Sequence, residues 1–220
     1  MTTWQPAIAE QMETYCPVGL HLLDALTNDA PLGKITAYLD LRDAGGTFRQ
    51  TDIPAIKTPS GVVCYPGLER HADVAGLAPR HYRVRISADF YVPLYLSTAD
   101  GIEFDAYPFN DANPPAVIVH LAQDVYLTPA PNYPFPGHIP VLRGIVVDAA
   151  NKPIPNALVT QGAPAERAVT DSRGTFALPL RLAPQGVPVA IDAVNRAAHV
   201  GTINVTLPGD LERNQTIQII

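Results

Sequence analysis

The longest strict alternation in this sequence sets Tyr82, Val84 and Ile86 on one face of an extended chain, with Arg83, Arg85 and Ser87 on the other. A period of two predicts an antiparallel strand with one face in a core and one in water. Ile35, Ala37, Leu39 and Leu41 repeat the pattern against Thr36, Tyr38 and Asp40. Apolar runs predict further strands over residues 20–26, 60–68, 91–96 and 117–127. Between them, 27–33 and 44–48 are dense in turn residues. Farther on, Ile145, Val146 and Val147 form a β-branched run suited to a half-buried pleated surface. Asp148 ends that run, and Asn151 and Pro153 mark a turn. Extended chain resumes over 158–160, and TDSRG at 170–174 predicts a hairpin turn in which Gly174 accepts a positive φ. Residues 175–178 return as a strand. Two strands, a crossing connection and a hairpin open a small Greek-key sandwich. Only 7–15 reads as a helix, short, weakly amphipathic and stopped by Pro17.

Composition sharpens this picture. The chain has 23 prolines and 15 glycines, and proline is tolerated in sheets only at edges and bulges, so short strands joined by turns are expected. At 220 residues the length suits one large domain or two small ones. A proline-dense stretch without alternation, 128–140, predicts a semi-rigid spacer between domains. The expected division is a helical segment 1–17, a first β domain 18–127, the linker 128–140 and a second β domain 141–220. The formal charge of −6 comes without a block of either sign, which argues against a nucleic-acid partner. No apolar run approaches a membrane-spanning length. Nothing near the start has the basic and apolar regions of a signal peptide, so synthesis as a soluble cytoplasmic product is expected.

Candidate chemistry is sparse. Cys16 and Cys64 are either a single disulfide or two small buried hydrophobes. Cys64 lies in the apolar run GVVCY, where burial raises a thiol and makes a poor nucleophile. The six histidines are scattered, with no H-x-x-x-H spacing. Glu69, Arg70, His71 and Asp73 form a polar cluster that a fold-back would turn into a metal site; a solvated loop is the plainer reading. His120 and Asp124 share a strand face but stand ~13 Å apart. No nucleophile elbow and no phosphate-cradling glycine loop is present. The expected catalytic, cofactor and metal residues are therefore none. The acidic and aromatic segment 100–115, with Glu103, Asp105, Asp111, Phe104, Tyr107 and Phe109, has the composition of a carbohydrate- or calcium-binding loop. Its plainer reading is a loop whose aromatics plug the end of the sandwich. Tyr107 and Phe109 here, with Tyr133 and Phe135 in the linker, are the candidate partner-binding residues; for the linker pair, packing against one of the chain's own domains is the plainer reading.

The motifs G-x-V-x-D at 144–148, K-P-I-P-N-A-x-V at 152–159 and T-D-x-x-G-x-F-x-L at 170–178 resemble the carboxypeptidase regulatory-like module, a prealbumin-like β-sandwich. The resemblance covers about 141–220, and it implies a fold and an accessory role but no catalytic residues. Two enzymes of related fold do not fit. The chain lacks the Y-R-G-S-type tetrapeptide of hydroxyisourate hydrolases, and downstream of Gly144 it has one histidine and no tyrosine where intradiol dioxygenases need two of each. The opening of 18–127 resembles a diverged first copy. The expected fold is all-β, two tandem prealbumin-like or immunoglobulin-like sandwiches after a short helix. As a whole the chain is similar to accessory proteins of phage tails and contractile injection systems. That implies a non-catalytic structural protein of a virion or injection particle, whose partners are other protein subunits, copies of itself included. The alternative is a glycan- or peptide-binding adaptor using the 100–115 loop.

Overall fold

The computed structural model describes residues 14–93, 100–115, 121–162 and 166–220. Among the described residues nine strands precede residue 130: β1 (Val18–Asp24), β2 (Ile35–Arg42), β3 (Phe48–Gln50), β4 (Ile56–Lys57), β5 (Val62–Cys64), β6 (Arg80–Ala88), β7 (Tyr91–Pro93), β8 (Ile102–Ala106) and β9 (Leu121–Pro129). Seven follow: β10 (Val141–Val147), β11 (Leu158–Gln161), β12 (Glu166–Val169), β13 (Thr175–Pro179), β14 (Pro188–Val194), β15 (Val200–Thr206) and β16 (Gln215–Gln218). The chain is all-β. Among the described residues the only helical element is a 3₁₀ turn, Gly209–Glu212. Residues 7–13 of the expected helix, residues 94–96 of the strand expected over 91–96 and residues 117–120 of the strand expected over 117–127, His120 included, lie outside the described residues. The strand expected over 60–68 is shorter, because Gly67 and Glu69 both take positive φ and turn the chain after Cys64.

The strands form sheets ordered β4-β5-β1-β9-β7, β3-β2-β6-β8, β13-β10-β16 and β12-β11-β14-β15. Contacts divide the chain into two compact units. One holds the described residues of Met1–His21, Tyr38–Val84 and Ile102–Gln123; the other holds those of Leu22–Ala37, Arg85–Gly101 and Asp124–Ile220. Both are discontinuous in sequence, since β1, β2, β6 and β9 each contribute residues to both. The proline-dense stretch 128–140 belongs to the second unit, where Tyr133 is buried.

Within the second unit the two C-terminal sheets enclose one core that includes Leu142, Val146, Val159, Phe176, Leu178, Ile191 and Ile217. β10 pairs antiparallel with β13 and parallel with β16. The sandwich closes at its rims, where β12 touches β13 and β15 touches β16. Gly144 explains itself by close approach. A Cβ there would stand 2.3 Å from the Gln215 carbonyl oxygen and 2.7 Å from the Phe176 ring. The G-x-V-x-D pattern thus begins with a residue that lets β16 lie against β10.

One turn chemistry recurs at 43–47, 58–62, 148–152, 171–175 and 195–199. In each, the first N–H donates to the fifth carbonyl and the fourth N–H to the first carbonyl. The side-chain oxygen of Asp43, Thr58, Asp148, Asp171 or Asn195 accepts from the fifth N–H. The fourth residue takes a positive φ: Gly46, Gly61, Asn151, Gly174 and Ala198. A type I turn closed by a left-handed residue suits antiparallel strands, and a short polar side chain at its first position satisfies the loop N–H groups.

Candidate functional site

β8 carries the acidic side chains of the 100–115 segment. Paired with β6, it sets Asp105 opposite His81 and Glu103 opposite Arg83. The period of two puts these four on one face, while Tyr82, Val84, Phe104 and Ala106 are buried on the other. His81 is held at both ring nitrogens, Nδ1 2.8 Å from Asp105 Oδ1 and Nε2 2.9 Å from Glu103 Oε2. Only the imidazolium donates from both nitrogens at once. The Glu103 hydrogen bond, and after it that of Asp105, raise His81 above its ordinary value against the opposing effect of burial. The two nitrogens face separate carboxylates, so the three side chains do not converge on one point as metal ligands must. Beside them Arg83 lies 4.2 Å over the Phe48 ring and donates to Oδ2 of the buried Asp40 through Nε (3.1 Å) and Nη2 (2.8 Å).

Past β8 the chain is clamped to the segment after β5. The Phe109 N–H donates to the Glu69 carbonyl (3.0 Å) and the His71 N–H to the Phe109 carbonyl (2.9 Å). Arg70 Nη2 reaches both carboxylate oxygens of Asp111, at 2.8 and 2.7 Å. Phe109 is buried, edge-on to Tyr15 at 5.2 Å. Glu69 is buried too. Its Oε1 accepts from the Tyr82 hydroxyl and from Arg80 Nη1 (3.3 Å), and its Oε2 lies 2.8 Å from His71 Nε2. Burial, and then the Glu69 hydrogen bond, hold the Tyr82 hydroxyl well above its ordinary value. Asp73 bonds the Ala75 N–H. Among the described residues no group of three His, Cys, Asp or Glu side chains is arranged to hold a metal ion.

In the second unit Asp24 Oδ2 accepts from Tyr91 (2.9 Å) and Tyr133 (2.7 Å), and its Oδ1 accepts from the Leu26 N–H (2.7 Å). Burial pushes the Tyr91 hydroxyl up to about 12. Phe135 packs on Tyr133 with ring centroids 4.8 Å apart. Glu166, also buried, accepts from the Arg181 N–H (2.9 Å) and Nε (3.0 Å), while Arg181 Nη1 donates to the Leu26 carbonyl.

The four candidate partner-binding aromatics therefore separate. Phe109 and Tyr133 are buried against their own chain, as the plainer reading of each segment has it; Tyr107 and Phe135 stay half-exposed. The physical reason is that each buried ring has neighbours from distant segments, Tyr15 in one case and Tyr91 in the other. Sequence reasoning missed the buried acids Asp24, Asp40 and Glu166, and it placed Glu69 in a solvated loop although its side chain is buried. The one local signal was an acid directly after an apolar pair, as in Leu22-Leu23-Asp24.

No protein-family model matches the chain, and no curated protein does. The resemblance in 141–220 therefore rests on its motifs alone. Among solved structures the chain is similar to the Bacillus anthracis TIE protein, at 14% identity and a TM-score of 0.28, covering 93% of this chain and 33% of that one. It is similar to BcpA, the major pilin subunit of Bacillus cereus, at 10% identity and a TM-score of 0.30, covering 94% and 69%. For a C-terminal fragment of the pilus adhesin SpaC from Lactobacillus rhamnosus GG the values are 15%, 0.26, 94% and 95%. At such scores none of these likenesses assigns a family or an activity.

Proposed function

We propose that this chain is a non-catalytic structural and interaction protein, a rigid β scaffold that meets other protein subunits in a larger assembly. The observation that carries this reading is the state of its buried carboxylates. Asp24 is held by two tyrosine hydroxyls and a backbone N–H, and Asp40 by Arg83. Glu69 is held by Tyr82, Arg80 and His71, and Glu166 by Arg181. A general base needs a free lone pair aimed at a substrate proton. These groups instead bind donors from their own chain and fix segments distant in sequence.

The charged ladder of His81, Arg83, Glu103 and Asp105 is the surface on which a protein partner would find both signs of charge at fixed spacing. A net charge of −6 without basic blocks supports partners other than nucleic acid. The phage-tail or injection-particle setting, with synthesis in the cytoplasm, is the finer form of this proposal and rests on sequence resemblance alone. An adaptor using 100–115 is the weaker alternative, because Phe109 is buried and Asp111 is bound by Arg70.

Native mass spectrometry of the purified chain, followed by affinity capture from the producing cell, tests the proposal. Symmetric oligomers or stoichiometric capture of large repetitive proteins would support it. A monomer that captures no protein and binds a glycan or peptide would sink it.

A further inference from the structure

The chain has two cysteines, and they fold to the same place. β1 and β5 pair antiparallel with Gly19 opposite Cys64. The pairing continues past the strand ends, where the Gly67 N–H donates to the Tyr15 carbonyl at 2.8 Å. Residues 15–19 therefore run alongside 64–67, and Cys16 lies between the two points of contact. Its thiol donates to the Val18 carbonyl at 3.0 Å, and that of Cys64 to the Ile56 carbonyl at 3.5 Å. The Cys16 thiol is near enough to bear on the acidity of Cys64. Both side chains are half-buried, so neither is sealed from a small oxidant.

From this juxtaposition we propose that Cys16 and Cys64 form an intramolecular disulfide that staples the segment ahead of β1 to β5. A small disulfide such as oxidised glutathione is a sufficient oxidant. One cysteine thiolate attacks a glutathione sulfur, the glutathione S–S bond breaks, and one glutathione leaves as its thiolate. The second cysteine, deprotonated in turn, attacks the mixed disulfide and releases the other glutathione. The two thiols lose two electrons and two protons, and oxidised glutathione takes them up as two reduced molecules. Burial first, and the neighbouring Cys16 next, push the Cys64 thiol up, so exchange through its thiolate quickens as pH rises.

Closing the long loop between residues 16 and 64 restricts the unfolded chain more than the folded one, which is the origin of a disulfide's stabilisation. It also fixes residues 15–17 against the segment that follows β5. Under reducing conditions the pair stays as thiols and that segment is held by noncovalent contacts, the Gly67–Tyr15 backbone bond and the Tyr15–Phe109 ring contact among them, so the staple responds to the redox state of its surroundings.

The test uses the full chain. The reduced, folded protein is incubated with oxidised glutathione at mildly alkaline pH, then denatured in iodoacetamide and weighed intact. The expected product has lost two hydrogens, resists alkylation, and on trypsin digestion links peptides 1–34 and 58–70. Cys64→Ser should instead carry a single glutathione. A Cys→Ser exchange can disturb folding, so wild-type protein is also melted oxidised and reduced, with the oxidised form expected to melt several degrees higher. Two glutathione adducts or two alkyl groups without the cross-link would overturn the proposal. So would a cross-link that forms only in urea.

Discussion

Tyr133 donates its hydroxyl to Oδ2 of Asp24 at 2.7 Å, across 109 residues of sequence. Tyr91 shares the same oxygen at 2.9 Å and in turn accepts from the Leu32 N–H. A buried carboxylate with two hydroxyl donors and a backbone donor is tolerable only while all are present, since each orphaned group keeps its full desolvation cost. The node therefore ties three distant segments of the second unit together.

Tyr133→Phe should destabilise the protein by about 1–3 kcal/mol in urea unfolding, because one donor to a buried carboxylate is lost while the ring stays. Asp24→Ala should cost more, about 3–5 kcal/mol, because it leaves two hydroxyls and an N–H without an acceptor. The double variant should lose less than the sum, as expected for groups that share one bond. Strict additivity would refute the shared node.

His81 gives stability a slope near neutral pH. Its folded value is raised by Glu103 and Asp105, so the folded chain holds the proton more tightly than the unfolded one. The stabilisation is complete below the unfolded value of about 6.5 and is lost as pH rises through the raised folded value. For a half-exposed pair it amounts to no more than about 1 kcal/mol and is weakened by salt. His81→Gln should flatten the slope in urea midpoints measured across pH 5.5–9; an unchanged slope would assign it to another group.

Phe109→Ala should destabilise the first unit by about 3–5 kcal/mol, through lost packing and a cavity. Tyr107→Ala, at a half-exposed position beside it, should cost well under half of that. If the Phe109 variant melted like wild type and only a glycan or peptide affinity fell, the adaptor reading would replace the structural one.

Ala198 occupies the left-handed position that Gly46, Gly61 and Gly174 fill in equivalent loops. An L-residue with a Cβ is strained there and glycine is not. Ala198→Gly should raise stability by roughly 0.5–1 kcal/mol, seen as a higher melting temperature; a decrease would mean that Cβ packing outweighs the strain.

Much of the strand pattern was legible. The alternation at 82–87 appears as β6 and that at 35–41 as β2, while the 145–147 and 175–178 runs appear within β10 and β13. The hairpin expected at 170–174 closes as Asp171 and Gly174 require. The site was legible only in part. Glu103 and Asp105 were singled out, but their hold on His81 comes from the β6–β8 register, which no local pattern specifies. Asp40 alternated as a polar position of β2, yet it is buried because Arg83, 43 residues away, meets it there.

By itself the sequence determined much of what depends on neighbours within a few residues: side-chain alternation, and the turns that follow Asp43, Asp148 and Asp171. Such interactions are local, so chain order specifies them. Only the tertiary structure decided which acids are buried, that Phe109 and Tyr133 face inward, and that Cys16 lies beside Cys64. Each of these depends on which distant strands pair and in what register. A shift of one residue would turn every side chain to the other face, and only the packing of the whole core selects among the registers.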